Sequence, residues 1–146
     1  MTDNSTTNYI DAVPLTFGSG SGPLLVLTEP ISFWGGIDAR TGQIVDAHHP
    51  QKGEFVANKI LALTSSRGSS TGSYVLLELM RAKLAPAGIV LTEADGVICT
   101  GALVGSETYD LALPVIQVPN AALNSLKSGV AGKVVSQEAR AFLALF

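Results

Sequence analysis

Residues 65–73 read Ser65-Ser66-Arg67-Gly68-Ser69-Ser70-Thr71-Gly72-Ser73, a hydroxyl- and glycine-rich turn wedged between two apolar runs. Upstream, residues 59–64 (Lys59-Ile60-Leu61-Ala62-Leu63-Thr64) predict a buried strand; downstream, residues 74–84 predict a helix. A strand that ends in small polar residues and opens directly into a helix leaves backbone N–H groups of the first turn without intrahelical partners. The helix dipole adds partial positive charge at the same point, so a carboxylate or phosphate can dock there. Five serines and a threonine at such a place form an anion site in which one hydroxyl can be held as a base. The competing reading is that these hydroxyls merely cap the helix, a position Ser and Thr favour.

The flanking sequence extends the pattern. Ala85-Pro86-Ala87-Gly88 stops the helix, and residues 88–92 predict a second buried strand. Residues 94–104 predict a short helix weakened by Gly96 and Gly101. A third strand over 113–118 ends at Pro119, a helical turn follows at 121–126, and a last strand covers 131–136. Residues 138–146 read as an amphipathic turn or helix. Near-continuous apolar strands alternating with helices predict an α/β core with parallel pairing.

Ahead of that core, residues 24–28 predict a strand, and residues 32–38 and 43–47 flank a hairpin turn at 39–42. Residues 48–53 are a loop punctuated by Pro50 and Gly53. Together these predict a small α/β domain with a mixed, barrel-like sheet and flanking helices, covering residues 24–146. Residues 1–23 predict a flexible N-terminal arm, because Gly18-Ser19-Gly20-Ser21-Gly22 has linker composition and no P-loop lysine follows.

Composition narrows the function classes. A chain of 146 residues is one domain by size. It is 47% hydrophobic and only 14% charged, which fits either a large partner interface or a tight α/β core. Net charge is −3 with no basic cluster, so the footprint of nucleic-acid binding is missing. No apolar run reaches the ~18 residues of a membrane span. The polar, acidic start argues against a secretory signal and points to the cytoplasm. Cys99 is the single cysteine; it cannot form an internal disulfide or hold zinc or an iron–sulfur cluster alone, and it reads as a small buried hydrophobe.

Three separated motifs carry a family resemblance: Ser32-Phe33-Trp34-Gly35-Gly36-Ile37-Asp38, then His49-Pro50, then residues 67–79 from Arg67-Gly68-Ser69-Ser70-Thr71-Gly72 onward. In this order and spacing, over roughly residues 24–118, the chain resembles the aconitase X swivel domain. The resemblance implies a swivelling β/β/α fold that packs over a separate large subunit as a heterodimer. It implies that the large subunit carries an iron–sulfur cluster and most of the substrate pocket, with no metal held by this chain. The implied activity is a hydro-lyase (dehydratase), inactive without its partner, acting on a small hydroxy acid. Family members act on cis-3-hydroxy-L-proline or on mevalonate 5-phosphate. With nine Lys plus Arg and no cluster suited to a phosphate, the chain favours the first.

The broader aconitase superfamily has a Gly-Ser-Ser-Arg segment whose first serine is the catalytic base. Here that segment is Gly68-Ser69-Ser70-Thr71, so the resemblance implies Ser69 as base. Gly68, Ser70, Thr71 and Gly72 are the implied substrate-binding residues. Thr71 stands where the superfamily has an arginine for substrate carboxylate, a departure that fits aconitase X. Arg67 reads either as a substrate clamp or as a surface charge.

Outside the turn, Ser73 reads as a capping or packing hydroxyl, Trp34 as an interface anchor, and Asp38 as a turn acceptor. His48 and His49 read as structural or surface residues, since neighbours in a strand point to opposite faces. Glu93 and Asp95 follow a strand end, where α/β ligands bind, but read as a solvated turn. Two rivals remain open: a swivel-fold module that docks without chemistry, and a free-standing binder using the serine turn as an anion pocket.

Overall fold

The computed structural model describes residues 7–146. Among them, seven strands close into a barrel: β1 (Asn8–Thr16), β2 (Gly18–Val26), β3 (Ile60–Leu63), β4 (Gly88–Leu91), β5 (Val115–Gln117), β6 (Ala131–Ser136) and β7 (Ala141–Leu145). Their order around the barrel is β1-β5-β4-β3-β2-β6-β7. The helical segments are α1 (Phe33–Gly36), α2 (Gly72–Arg81), α3 (Gly96–Tyr109) and α4 (Asn120–Asn124). The expected mixed, barrel-like α/β domain is therefore the observed one.

Strands β2 to β5 run parallel, with Leu25 beside Leu61, Leu61 beside Ile89, and Ile89 beside Val115. Parallel neighbours need crossovers, and α2 and α3 supply two of them. Alternate side chains of each strand then meet different cores. Ile60, Ala62, Val90 and Ile116 point into the barrel with Leu24, Val134 and Leu143. Leu61, Leu63, Ile89 and Leu91 point outward against Val75, Leu76 and Leu79 of α2 and Ile98 and Ala102 of α3. In β3 and β4 both faces are dry, which is why these two strands read as unbroken apolar runs.

β1, β6 and β7 complete the barrel in antiparallel fashion, β1 against β5 and β7, and β6 against β2 and β7. Here two sequence expectations are corrected. Residues 8–23 are not an arm: they form β1 and most of β2 (residues 1–6 of the expected arm lie outside the described residues). The Gly-Ser run is a strand because its alternation has period two, with Ser19 and Ser21 exposed and Gly20 and Gly22 turned inward. A Cβ on Gly20 would strike the carbonyl of Ala87, and one on Gly22 the carbonyl of Asn58. Glycine is there for close backbone approach.

The second correction is the C-terminus, where residues 141–145 form β7 rather than a helix, pairing along β1 and β6. Two further elements differ in extent. The helix expected at 94–104 runs on to Tyr109, and Gly101 packs its bare Cα against Leu76 of α2. The hairpin expected around 39–42 is a turn closed by Thr41 and Gly42 N–H groups on the Asp38 carbonyl, with a single bridge from Ile37 to Ile44. No helix among the described residues is long and apolar enough to cross a membrane.

Candidate functional site

Because β2, β3 and β4 are parallel, the loops leaving their carboxyl ends gather at one rim of the barrel, where open α/β sheets bind ligands. Ile31 and Ser66 form a parallel bridge, and Arg67 N–H donates to the Ile31 carbonyl at 3.0 Å. The N–H groups of Thr92 and Glu93 both donate to the Thr64 carbonyl at 3.2 Å. A cleft of 840 Å³ opens between these loops. Residues 65–68, Ser70, Ser73 and Tyr74 line one wall; residues 93–97 and Thr100 line the other.

Ser69 stands exposed at the lip, between the two cleft-lining residues Gly68 and Ser70. Its Oγ accepts the Thr71 N–H at 3.1 Å, while its own hydroxyl donates to Thr71 Oγ1 at 2.8 Å. Thr71 thus faces Ser69 rather than the cleft, and Gly72 is buried with its N–H on the Ser69 carbonyl at 3.0 Å. Ser73 and Tyr74 N–H groups are likewise taken up by the carbonyls of Ser70 and Thr71. The loop therefore satisfies the first donors of α2 itself. Within residues 66–74, the amides of Gly68, Ser69 and Ser70 are the ones with no acceptor among the described residues. Gly68 is held at φ +90°, and a Cβ there would sit 2.9 Å from Ser32 Oγ.

Of the remaining expected residues, Arg67 is exposed on the cleft wall with no carboxylate within ion-pair reach among the described residues. Ser73 is a packing hydroxyl, donating to the Val97 carbonyl at 2.6 Å and so tying α2 to α3. Trp34 is 58% exposed on the irregular α1 turn, whose Gly35 has φ +82°. The Trp34 backbone N lies 3.8 Å from the place a Gly72 Cβ would occupy, which sets the α1 turn against the start of α2. Asp38 accepts the Arg40 N–H in its own turn. His49 is buried: Nδ1 accepts the Gln51 N–H at 3.1 Å, so Nε2 carries the proton and donates to the Glu29 carbonyl at 3.0 Å. His48 is exposed beside Asp46. Neither histidine lines the cleft.

Asp95 departs from the sequence reading. It is not part of a solvated turn but is buried, with Oδ1 accepting the Val97 and Ile98 N–H groups at 2.9 and 3.1 Å as the N-cap of α3. Oδ2 accepts both the N–H and the hydroxyl of Ser66 at 2.6 Å. The cap was legible as an Asp directly before the helical run; the grip on a loop 29 residues away was not. Glu93 does stay exposed, on the opposite wall of the cleft from Arg67.

Cys99 is half-buried against the outer core, and burial raises its thiol pKa. Among the described residues no three His, Cys, Asp or Glu side chains converge as a metal-holding group. With one thiol in the chain, these residues do not fit an iron–sulfur cluster.

The architecture and the rim loops have counterparts in known proteins. Residues 10–142 match the family described as Aconitase X swivel domain. The chain is 45% identical over 101 residues to a cis-3-hydroxy-L-proline dehydratase of Pseudomonas aeruginosa, covering 69% of this chain but only 17% of that protein. It is 36% identical over 111 residues to a phosphomevalonate dehydratase small subunit of Methanothermobacter thermautotrophicus, covering 76% of this chain and 80% of the relative. The holo-form crystal structure of Thermococcus kodakaraensis aconitase X superposes with a TM-score of 0.84 at 28% identity, covering 95% of this chain and 98% of that one. Sequence and barrel agree from β1 to β7, and the chain belongs to the aconitase X swivel domain family.

Proposed function

We propose that this chain is the swivel component of an aconitase X-type hydro-lyase, completing an active site shared with a large partner in the cytoplasm. Ser69 is its catalytic base. The observation that carries the assignment is the Ser69–Thr71 pair at the exposed lip of the cleft. A serine hydroxyl is a poor base at its free pKa and needs surroundings that favour the alkoxide. The Thr71 N–H already points at Ser69 Oγ, and once the Ser69 proton leaves, the Thr71 hydroxyl is free to turn and donate as well. An alkoxide at Ser69 therefore meets two preorganised donors.

Loss of water from a β-hydroxy acid requires removal of the α-proton and departure of the hydroxyl. This chain supplies the acceptor of the proton. Arg67 and the free amides of Gly68, Ser69 and Ser70 bind the substrate carboxylate, and Ser70 a further substrate oxygen. The iron–sulfur cluster belongs to the partner, and none of these roles passes through it.

The substrate that fits best is cis-3-hydroxy-L-proline, dehydrated to a cyclic imine acid. Among the described residues, Arg67 is the single cation lining the cleft, enough for one carboxylate, and Glu93 lines it as well and can receive an amine. The relative at 45% identity acts on that compound by name. Mevalonate 5-phosphate is the second reading, favoured by the phosphomevalonate dehydratase small subunit that the chain matches over 80% of its length.

The test is co-expression with the large partner and an assay of water loss from both compounds. Turnover of hydroxyproline, lost in Ser69→Ala while the complex still forms, is the expected result. Turnover of mevalonate 5-phosphate alone replaces the substrate. Undiminished activity of Ser69→Ala removes the base assignment, and a stable but inactive pair leaves a docking module.

A further inference from the structure

Asp95 does more than a helix cap requires. Each of its oxygens accepts two hydrogen bonds, so all four lone-pair positions of the carboxylate are filled. The two on Oδ1 cap α3, a task Asn, Ser or Thr performs about as well. The two on Oδ2 go to Ser66, at the start of the loop that leaves β3. From there the chain is pinned step by step: Arg67 N–H on the Ile31 carbonyl at 3.0 Å, then Gly68 at φ +90° with Ser32 against its Cα. Ser69 is the next residue. Among the described residues, no other hydrogen bond ties residues 66–68 to the β4–α3 wall of the cleft.

We propose that Asp95 is a positioning residue for Ser69, holding the serine loop at the distance from the opposite cleft wall that proton abstraction needs. The inference rests on the reading of Ser69 as base. It explains why a carboxylate rather than an amide occupies the cap. In Asp95→Asn, the carbonyl oxygen still caps α3, but the amide nitrogen presents hydrogens to the Ser66 N–H. The Ser66 hydroxyl can rotate to accept; the N–H cannot, and a buried donor facing a donor pushes the loop away. Ser66→Ala makes the milder cut, deleting the hydroxyl bond and leaving the N–H bond in place.

The experiment compares wild type, Asp95→Asn, Ser66→Ala and Ser69→Ala in the complex with the large partner, and records amide NMR spectra of the full chain. Asp95→Asn is expected to lower kcat on the order of 100-fold with KM within about threefold, because misplacement near 1 Å costs that much in rate. Ser66→Ala lowers kcat less. In the spectra of Asp95→Asn, resonances of residues 66–71 shift while those of Val97 and Ile98 stay. Wild-type kcat in Asp95→Asn overturns the proposal. So does a loss of kcat accompanied by loss of the Val97 and Ile98 resonances, which makes Asp95 a cap and nothing more. If Ser69→Ala keeps its turnover, the base assignment has failed instead; unshifted resonances for 66–71 then overturn the Asp95 role separately.

Discussion

The two halves of the barrel bury the same interior by opposite means. In the parallel half, β3 and β4 are fully buried strands whose side chains alternate between an inner core and a helix-covered outer one. In the antiparallel half, β6 and the first part of β2, residues 18–23 paired with it, keep one face wet, with Ser19, Ser21, Ala131 and Lys133 outside. Gly20, Gly22 and Gly132 turn inward in exchange. The first half gains its stability from side-chain volume and the second from letting backbones come close. Function follows the division: loops lie over the carboxyl ends of the parallel strands, and the cleft with its serine turn is built there. The antiparallel strands close the barrel and hold the rim in shape.

If the halves work this way, small-to-large changes should hurt one and large-to-small changes the other. The largest effect is expected for Gly20→Val. Its side chain meets the Ala87 backbone, which cannot move without displacing β4, so a loss of about 3 kcal/mol or more is expected, read as a collapsed thermal transition or insoluble protein. A fully folded Gly20→Val chain would return residues 18–22 to the status of a linker. Next is Leu76→Ala, which empties a completely buried position between α2 and the sheet and should cost about 2–5 kcal/mol in a denaturant titration. A cost below that range would mean the outer core can collapse around the gap.

Gly68→Ala sharpens the contrast between scaffold and site. The positive φ and the nearby Ser32 hydroxyl should cost only about 1–2 kcal/mol, because Ser32 can rotate away. Turnover in the complex with the large partner should fall far more than the melting temperature suggests. Ser73→Ala removes the 2.6 Å bond to the Val97 carbonyl and should cost about 1 kcal/mol by chemical denaturation, with little effect on turnover.

The smallest effect concerns pH. Burial raises the Cys99 thiol above its ordinary 9.0, so the folded state holds that proton more tightly than the unfolded one. Its contribution is fully present below pH 9.0 and is lost as pH rises through the folded value, so stability should decline there. Cys99→Ala should flatten that decline in melts recorded across the alkaline range.

The same division explains what could be read from the residues. Ile60-Leu61-Ala62-Leu63 and Ile89-Val90-Leu91 announce strands because an apolar run this short between turn residues has the length of a strand rather than of a helix. The α2 helix and the hydroxyl turn before it are equally legible, but the helix ends at Arg81 rather than running to the expected stop at Ala85-Pro86, because Ala82 caps it and Lys83 turns to φ +61°. Gly18-Ser19-Gly20-Ser21-Gly22 was misleading, since a linker and a strand that needs bare Cα atoms share that composition. Residues 138–146 failed for a related reason: β7 is a strand because β1 and β6 flank it, not because of any local preference.

Local pattern was enough to establish an α/β chain, its parallel core and a polar turn at a strand-to-helix junction. Those features arise from interactions a few residues apart, where burial period and capping chemistry leave marks in the order of residues. Closure of the barrel, the inward glycines and the grip of Asp95 on Ser66 depend on contacts between segments tens of residues apart. No period or motif records such a contact, because each partner alone is an ordinary glycine, serine or aspartate. Their roles emerge only when folding sets one backbone against another.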